Sequence, residues 1–414
     1  MRKMKDSGIA WVTTIPESWD TMANKYIMKK IKQINPVYHG EDILSLTVNG
    51  VIVRDLDAGG KMPTSFDGYQ FLYPGNLLMC LFDYDVTPRC IGLIKNSGVT
   101  SPAYSQFVMN TGFDAAYYYY YYLMVDHTKA ILHLAKNLRH SFTEEQLGMI
   151  SVPVPSFSEQ RRIATYLDAK CAEIDQISDD IQDQIDMLEK YRRSIVIEAV
   201  TRGLDPNAEK RDSGIQWIGH MPAHWETIRG KYLLKYLQKP VKEDDGVITC
   251  FRDGEVTLRS NRREDGFTLS DKEIGYQGID VGDLVVHGMD GFAGAIGISD
   301  SRGKASPVLN VLDTDMNKRY VMYYLRSMAY GDVFLALATG IRVRSCDLRW
   351  NKLAELFYPV PPREEQDAIV SFIDEKLRRI AEAVDDKKAQ LDTLEEYKKS
   401  LIFEYVTGKK EVPA

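Results

Sequence analysis

Apolar residues between Ser158 and Thr201 fall at Ile163, Leu167, Ile174, Ile177, Ile181, Ile185, Leu188 and Ile195, a mixture of three- and four-residue steps. That spacing lines one face of a helix. No Pro or Gly interrupts the stretch. Ile174, Ile181, Leu188 and Ile195 recur every seven residues, the period of a coiled-coil seam. A helix of about 40 residues is about 60 Å long at ~1.5 Å per residue, longer than a small domain is wide. Such a rod cannot cover its own stripe, so the pattern predicts a partner helix of similar length.

The chain supplies that partner in Arg363–Thr407. Laid over the first stretch without gaps, it matches at Glu159/Glu365, Gln160/Gln366, Ile163/Ile369, Asp168/Asp374, Ile174/Ile380 and Leu188/Leu394, and again at Tyr191/Tyr397, Glu198/Glu404 and Thr201/Thr407. Ile174, Ile181, Leu188 and Ile195 on one rod, with Ile380, Leu391, Leu394 and Leu401 on the other, are the candidate pairing and partner-docking positions. The offset is 206 residues throughout, about half the chain, as from Thr201 to Thr407. Each rod follows a proline-rich strand end, Val152-Pro-Val-Pro155 and Tyr358-Pro-Val-Pro361. The starts of the halves repeat as well: Asp6-Ser-Gly-Ile-Ala-Trp11 with Pro16 and Trp19 returns as Asp212-Ser-Gly-Ile-Gln-Trp217 with Pro222 and Trp225. An internal duplication of this period outranks any single motif.

Between the repeated pieces the pattern changes to short apolar runs broken by Asn-Gly, Asp-Gly and Pro-Gly. Residues 1–19 read as a polar entry whose tryptophan packs on the following domain. Strands are expected at Ile43–Val48, Val51–Val53, Gln70–Tyr73, Asn76–Phe82 and Arg89–Ile94, and a helix at Asp114–Val125. The second half has strands near Val247–Phe251, Val256–Leu258, Leu284–Val286 and Ala295–Ile298, and a helix near Asn317–Ala329. Arg202–Lys210 is a helix stop and linker. The fold class is α+β: two α/β domains separated by two long antiparallel helices, with a pseudo-twofold repeat. The divisions are a first variable domain over 1–151, a central long helix over 152–204, a second variable domain over 205–357 containing the repeated 210–225, and a last long helix over 358–414.

Composition changes this picture little. With 44% hydrophobic and 27% charged residues the chain is an ordinary globular protein. Its start lacks an apolar signal core, and no run has the length of a membrane span. Five cysteines without a CxxC spacing point to free thiols in a reducing cytoplasm. The net charge of −7 argues at first against nucleic acid. Much of the excess acid sits on the two rods, as at Asp175, Asp179, Asp180, Asp183 and Asp186, while basic clusters such as Arg259–Arg263 lie between them. The bulk charge therefore neither excludes nor supports a local DNA footprint.

Catalytic motifs fail on their own terms. Asn35-Pro-Val-Tyr38 approaches the loop with which amino-methyltransferases hold a target amine, but lacks its second Pro and any preceding Gly-rich cofactor turn. Gly297 to Lys304 has five residues between its glycines where a phosphate loop has four, with Ala305 where a magnesium-binding hydroxyl belongs; a hairpin loop is expected. His220 and His224 have zincin spacing, but Pro222 breaks the helix that would align them. Gly288, Gly291, Gly294 and Gly297 mark a tight turn between strands. Tyr117–Tyr122 could stack bases, yet six consecutive tyrosines on a helix point all round, so a core role is expected. No catalytic residue and no metal ligand is assigned.

Basic residues in the expected loops are the DNA-binding candidates: Arg54, Lys61, Arg89, Lys95 and Arg139 in the first variable domain, and Arg252, Arg259, Arg262, Arg263, Lys304, Arg342, Arg344 and Arg349 in the second. Arg342-Val-Arg344 ranks first, because alternation puts both on one strand face; Arg139 is its near counterpart.

With DSGIxW…P…W at both starts, PVP…EQ at both helix entries and EAVTRGLDP leaving the first rod, the whole chain resembles the specificity (S) subunit of type I restriction-modification systems. Phe157-Ser158 departs from the usual residues after the first PVP, and the second copy ends in Thr407-Gly-Lys-Lys without the RGLDP tail. The resemblance implies that each variable segment is a target recognition domain reading one half of a bipartite, asymmetric DNA site. It implies that the helices set the spacing and dock two methyltransferase (M) subunits, with two restriction (R) subunits able to join. It also implies a non-catalytic chain without cofactors, S-adenosylmethionine, ATP and magnesium residing on the partners. The rival readings are a structural coiled-coil adaptor without DNA readout and a stand-alone DNA methyltransferase; the latter needs a cofactor loop that this sequence does not offer.

Overall fold

The two apolar stripes become two unbroken rods. In the structure, a computed structural model that describes residues 2–58, 63–135, 140–262, 274–337 and 348–413, Phe157–Arg202 is one helix of 46 residues and Arg363–Val406 another of 44. The chain divides into two compact units, residues 1–181 with 389–414, and residues 182–388. Each unit thus holds the start of one long helix and the end of the other. Within unit 1 Tyr405 donates to the Tyr166 hydroxyl at 3.2 Å and Lys398 pairs with Asp175; within unit 2 Lys387 bonds Gln184. The partner's number falls as the first helix's number rises, so the helices run antiparallel. Ile174, Ile181, Ile195, Ile380 and Leu401 are buried, while Leu188, Leu391 and Leu394 are half-buried. Ile177 is 41% exposed although it fits the stripe, because a mixed three-four pattern drifts around a 3.6-residue helix.

Both units have the same sheet. In unit 1, strands β1 (Met28–Ile31), β2 (Leu77–Met79), β3 (Ile91–Leu93) and β4 (Ser105–Met109) lie in the order β1-β4-β2-β3, every pair antiparallel. In unit 2, β5 (Leu234–Leu237), β6 (Leu284–His287), β7 (Ile296–Ile298) and β8 (Leu309–Thr314) repeat it as β5-β8-β6-β7. A tyrosine-bearing helix shares each core, α1 (Ala115–His127) and α2 (Lys318–Tyr330). Asp114 and Asn317 cap them by accepting backbone N–H bonds. Tyr117, Tyr118, Tyr120, Tyr121 and Tyr122 are all buried. The run is therefore core.

Three expectations need correction. Residues Met4–Ile9 and Val12–Pro16 form an antiparallel ribbon, strands that the reading of 1–19 as a polar entry did not include. The stretch from Gly297 to Lys304 is not a hairpin loop: β7 pairs with β6, whereas Gly303–Ala305 pairs with Gln277–Ile279. Several strands escaped notice, β4 among them, because it opens on Ser105 and Gln106, polar yet both buried, so that alternation of apolar and polar residues fails there. Gly288, Gly291 and Gly294 do lie in the turn between β6 and β7, closed by Gly294 at φ +96°, whereas Gly297 lies within β7.

The repeated motif residues have one job in each unit. Trp19 is fully buried and its indole N–H donates to Glu159 Oε2 at 2.9 Å; Trp225 does the same to Glu365 at 2.8 Å. Trp11 donates to the Tyr121 hydroxyl and Trp217 to the Tyr324 hydroxyl, both at 3.0 Å. Gln160 accepts the Asp114 N–H and donates to Pro155 O; Gln366 accepts the Asn317 N–H and donates to Pro361 O. The Tyr117 hydroxyl donates to Val406 O, and that of Tyr320 to Val200 O. Each long helix then stops at a left-handed glycine, Gly203 or Gly408, both at φ +70° and both packed on a repeated Pro-Trp pair. The motifs are the joints of the scaffold.

Candidate nucleic-acid interface

Unit 2 opens in a cleft of about 590 Å³ beside the ribbon Ile248–Cys250 and Val256–Leu258. Arg252 sits in the turn of that ribbon, and Arg259 opens the short 3₁₀ turn Arg259–Asn261 that leaves it. With Arg262 these three candidates line one cavity, together with Phe251, Tyr276, His287 and Asp290. Arg262 lies 4.2 Å over the Phe251 ring and bonds Asp253 at 2.7 Å and Glu255 at 3.0 Å. Arg252 is 65% exposed and reaches Asp290 at 2.8 Å. Burial works to raise the Asp253 pKa, but the Arg262 and Glu255 N–H groups outweigh it and hold the carboxyl below the usual range. His287 is held below the ordinary histidine range, chiefly by burial. Its Nδ1 accepts the N–H groups of Met289 and Asp290. It is therefore neutral near pH 7, with Nε2 protonated.

A cleft lined with fixed guanidinium donors, carboxylate acceptors, a neutral imidazole and two aromatic rings can match the donor-acceptor pattern of base edges. A uniformly basic groove would only hold phosphates. Phe251, Tyr276, His287 and Asp290 were missed in the sequence, where nothing about their spacing marks them.

The remaining candidates are scattered. Lys304 lies in a strand rather than a loop. Arg349 takes the N-cap position of the short helix Trp350–Glu355. Arg89 turns toward α1, 3.5 Å from the Tyr119 hydroxyl, and not into an open loop. Arg54 is half-buried after the strand Gly50–Val53, and Lys95 is exposed. Lys61, Arg139, Arg263, Arg342 and Arg344 lie outside the described residues. Among the described residues no group of three or more His, Cys, Asp or Glu is placed to hold a metal. His224 instead meets Glu365 at 2.6 Å. Cys80, Cys90, Cys171 and Cys250 are buried free thiols, and no described helix is long and apolar enough to cross a membrane.

Known structures share this build. A chain from a study of complex assembly and conformational transition of the type I R-M system superposes over 96% of this chain and 99% of its own length, with a TM-score of 0.68 at 14% identity. The HsdS subunit of Thermoanaerobacter tengcongensis matches 96% of this chain and 98% of its own, with a TM-score of 0.50 and 14% identity. The chain has the type I specificity-subunit fold. In sequence it is 24% identical over 288 residues to a provisionally named type I restriction enzyme MjaX specificity subunit of Methanocaldococcus jannaschii. That match takes in 65% of this chain and 61% of the relative's length. No protein-family model matches the chain. At such identities the backbone likeness speaks for the fold, and the S-subunit resemblance drawn from the motifs agrees with it.

Proposed function

We propose that this chain is the DNA sequence-specificity subunit of a type I restriction-modification complex. The observation that carries the reading is the fold shared with S subunits over nearly the whole chain, built twice on the same joints with different residues in the clefts. Each recognition domain reads one half of a bipartite, asymmetric site in double-stranded DNA, and the paired helices fix the spacing between the halves. Two methyltransferase subunits dock on the helices, and two restriction subunits complete the assembly. The chain itself is non-catalytic: S-adenosylmethionine, ATP and magnesium act on the partners, and the complex works in the cytoplasm.

Methylome sequencing of cells expressing this chain with its methyltransferase partner tests the proposal. The expected result is a two-part motif with modified adenines in both halves. A continuous motif, or none, overturns it. Lengthening both long helices by one heptad adds ~10 Å, or about three base pairs, and changes the spacer while both half-sites stay the same.

A further inference from the structure

Unit 2 has a second cleft, of about 470 Å³, where the end of the first long helix meets the recognition domain. The helix contributes Arg192 and Arg193, and the domain contributes Arg252 and, from α2, Arg326. Arg192 lies 3.5 Å from Glu189, and Arg252 bonds Asp290. Arg193 and Arg326 have no carboxylate within ion-pair distance among the described residues. They share the Tyr330 ring instead, at 5.9 and 5.7 Å from its centroid. Among the described residues Arg326 makes one hydrogen bond, from Nη2 to Asp253 O at 2.6 Å, and its buried Nε meets no partner. The backbone makes room for it: a Cβ on Gly254, at φ +92°, would lie 2.5 Å from Arg326 Nη1.

Neither cation has a direct carboxylate partner, and the four lining arginines outnumber the three lining carboxylates, Glu189, Asp253 and Asp332, so this arginine fork on rigid helices is suited to an oxyanion. The arrangement also says which oxyanion. Arg252 and Asp253 line both this cleft and the base-reading cleft, so the two adjoin. A duplex whose base edges enter one presents its backbone to the other. Unit 1 has no such fork among its described residues. The repeat positions of Arg192 and Arg193 are Lys398 and Lys399, paired with Asp175 and with Glu395 and Glu396. When α1 is aligned on α2 through Tyr117 and Tyr320, Arg326 falls on the buried Leu123.

Resting on the DNA-reading function above, we propose that Arg193 and Arg326, flanked by Arg192 and Arg252, grip one DNA backbone phosphate beside the half-site read by unit 2, a contact that the described residues of unit 1 do not offer. The test uses the full chain co-purified with its methyltransferase partner and measures affinity for duplex DNA across a salt series. Replacing both residues (Arg193→Gln with Arg326→Gln) lowers the slope of log affinity against log salt by about 1 and weakens binding roughly 3- to 10-fold at low salt. The methylated motif stays the same in both halves. An unchanged slope overturns the proposal, as does a changed base preference in the unit 2 half-site. If the double variant melts early, Arg193→Gln alone, on an exposed helix position, must still lower the slope. A wild-type complex that binds no DNA sinks the functional reading itself, a different result from a binding complex whose slope ignores these arginines.

Discussion

Unit 1 and unit 2 differ least at the joints that hold each together and most in the basic side chains of their candidate interfaces. The paired joints agree closely: Trp19 to Glu159 at 2.9 Å against Trp225 to Glu365 at 2.8 Å, and both Trp-to-Tyr bonds at 3.0 Å. The clefts do not agree. Unit 2 gathers Arg252, Arg259, Arg262 and His287 around one cavity, whereas in unit 1 Arg89 turns to Tyr119 and Lys95 stands exposed. A duplicated scaffold keeps the residues that satisfy buried polar groups, since each unmade bond there costs about 1–3 kcal/mol. Positions that touch only the ligand are free to diverge.

The largest effect is expected at the joints. Trp19→Ala and Trp225→Ala each remove a fully buried indole and cost about 3–5 kcal/mol. Hydrogen-exchange mass spectrometry should show weakened protection in the unit carrying the change. A large effect in one unit with none in the other would break the equivalence. Next come the cleft arginines: Arg252→Ala with Arg259→Ala should cost about 1–3 kcal/mol of DNA affinity for each base edge that no longer has its arginine, and relax the motif in one half only. Relaxation of both halves, read from the methylome, would refute the division of labour. Tyr117→Phe and Tyr320→Phe should each cost about 1 kcal/mol by denaturant unfolding, because each removes one hydroxyl bond to a helix-end carbonyl. Unequal costs would show that the matching geometry hides different packing.

The smallest effect is the pH dependence that His287 gives unit 2. His287 is depressed in the folded chain, so the unfolded chain binds its proton first as pH falls. Its contribution to stability is complete above the ordinary histidine value of about 6.5 and fades below it. NMR titration should find the imidazole neutral at pH 7, and His287→Gln should lessen without abolishing the loss of stability between about pH 7 and 5, because burial holds His127 of unit 1 down at about 4 and it contributes there too. A His287 that titrates at or above the ordinary value contradicts the burial argument.

Much of the scaffold was legible in the sequence. A 206-residue offset and a heptad stripe announced two rods and two similar units, because helix periodicity is local and survives even where tertiary contacts are unknown. The short strands were not legible: three-residue pieces such as Leu77–Met79 and Ile91–Leu93 are buried by neighbours far along the chain. The candidate interface was legible only as a set of charges. Thirteen basic positions were named, yet only the fold brought Arg252, Arg259 and Arg262 into one cleft, sent Arg89 to a tyrosine and put Lys304 in a strand. Arg192 and Arg193, adjacent on the long helix, were not among those positions, and only the fold set Arg326 in one cleft with them.

By itself, then, the sequence determined the duplication, the rods and the residues that join each domain to them, because those depend on spacing along one chain. Which side chains converge on a ligand was decided by the tertiary structure alone. Convergence depends on where loops from distant strands end up, and on which carboxylate each arginine has already met.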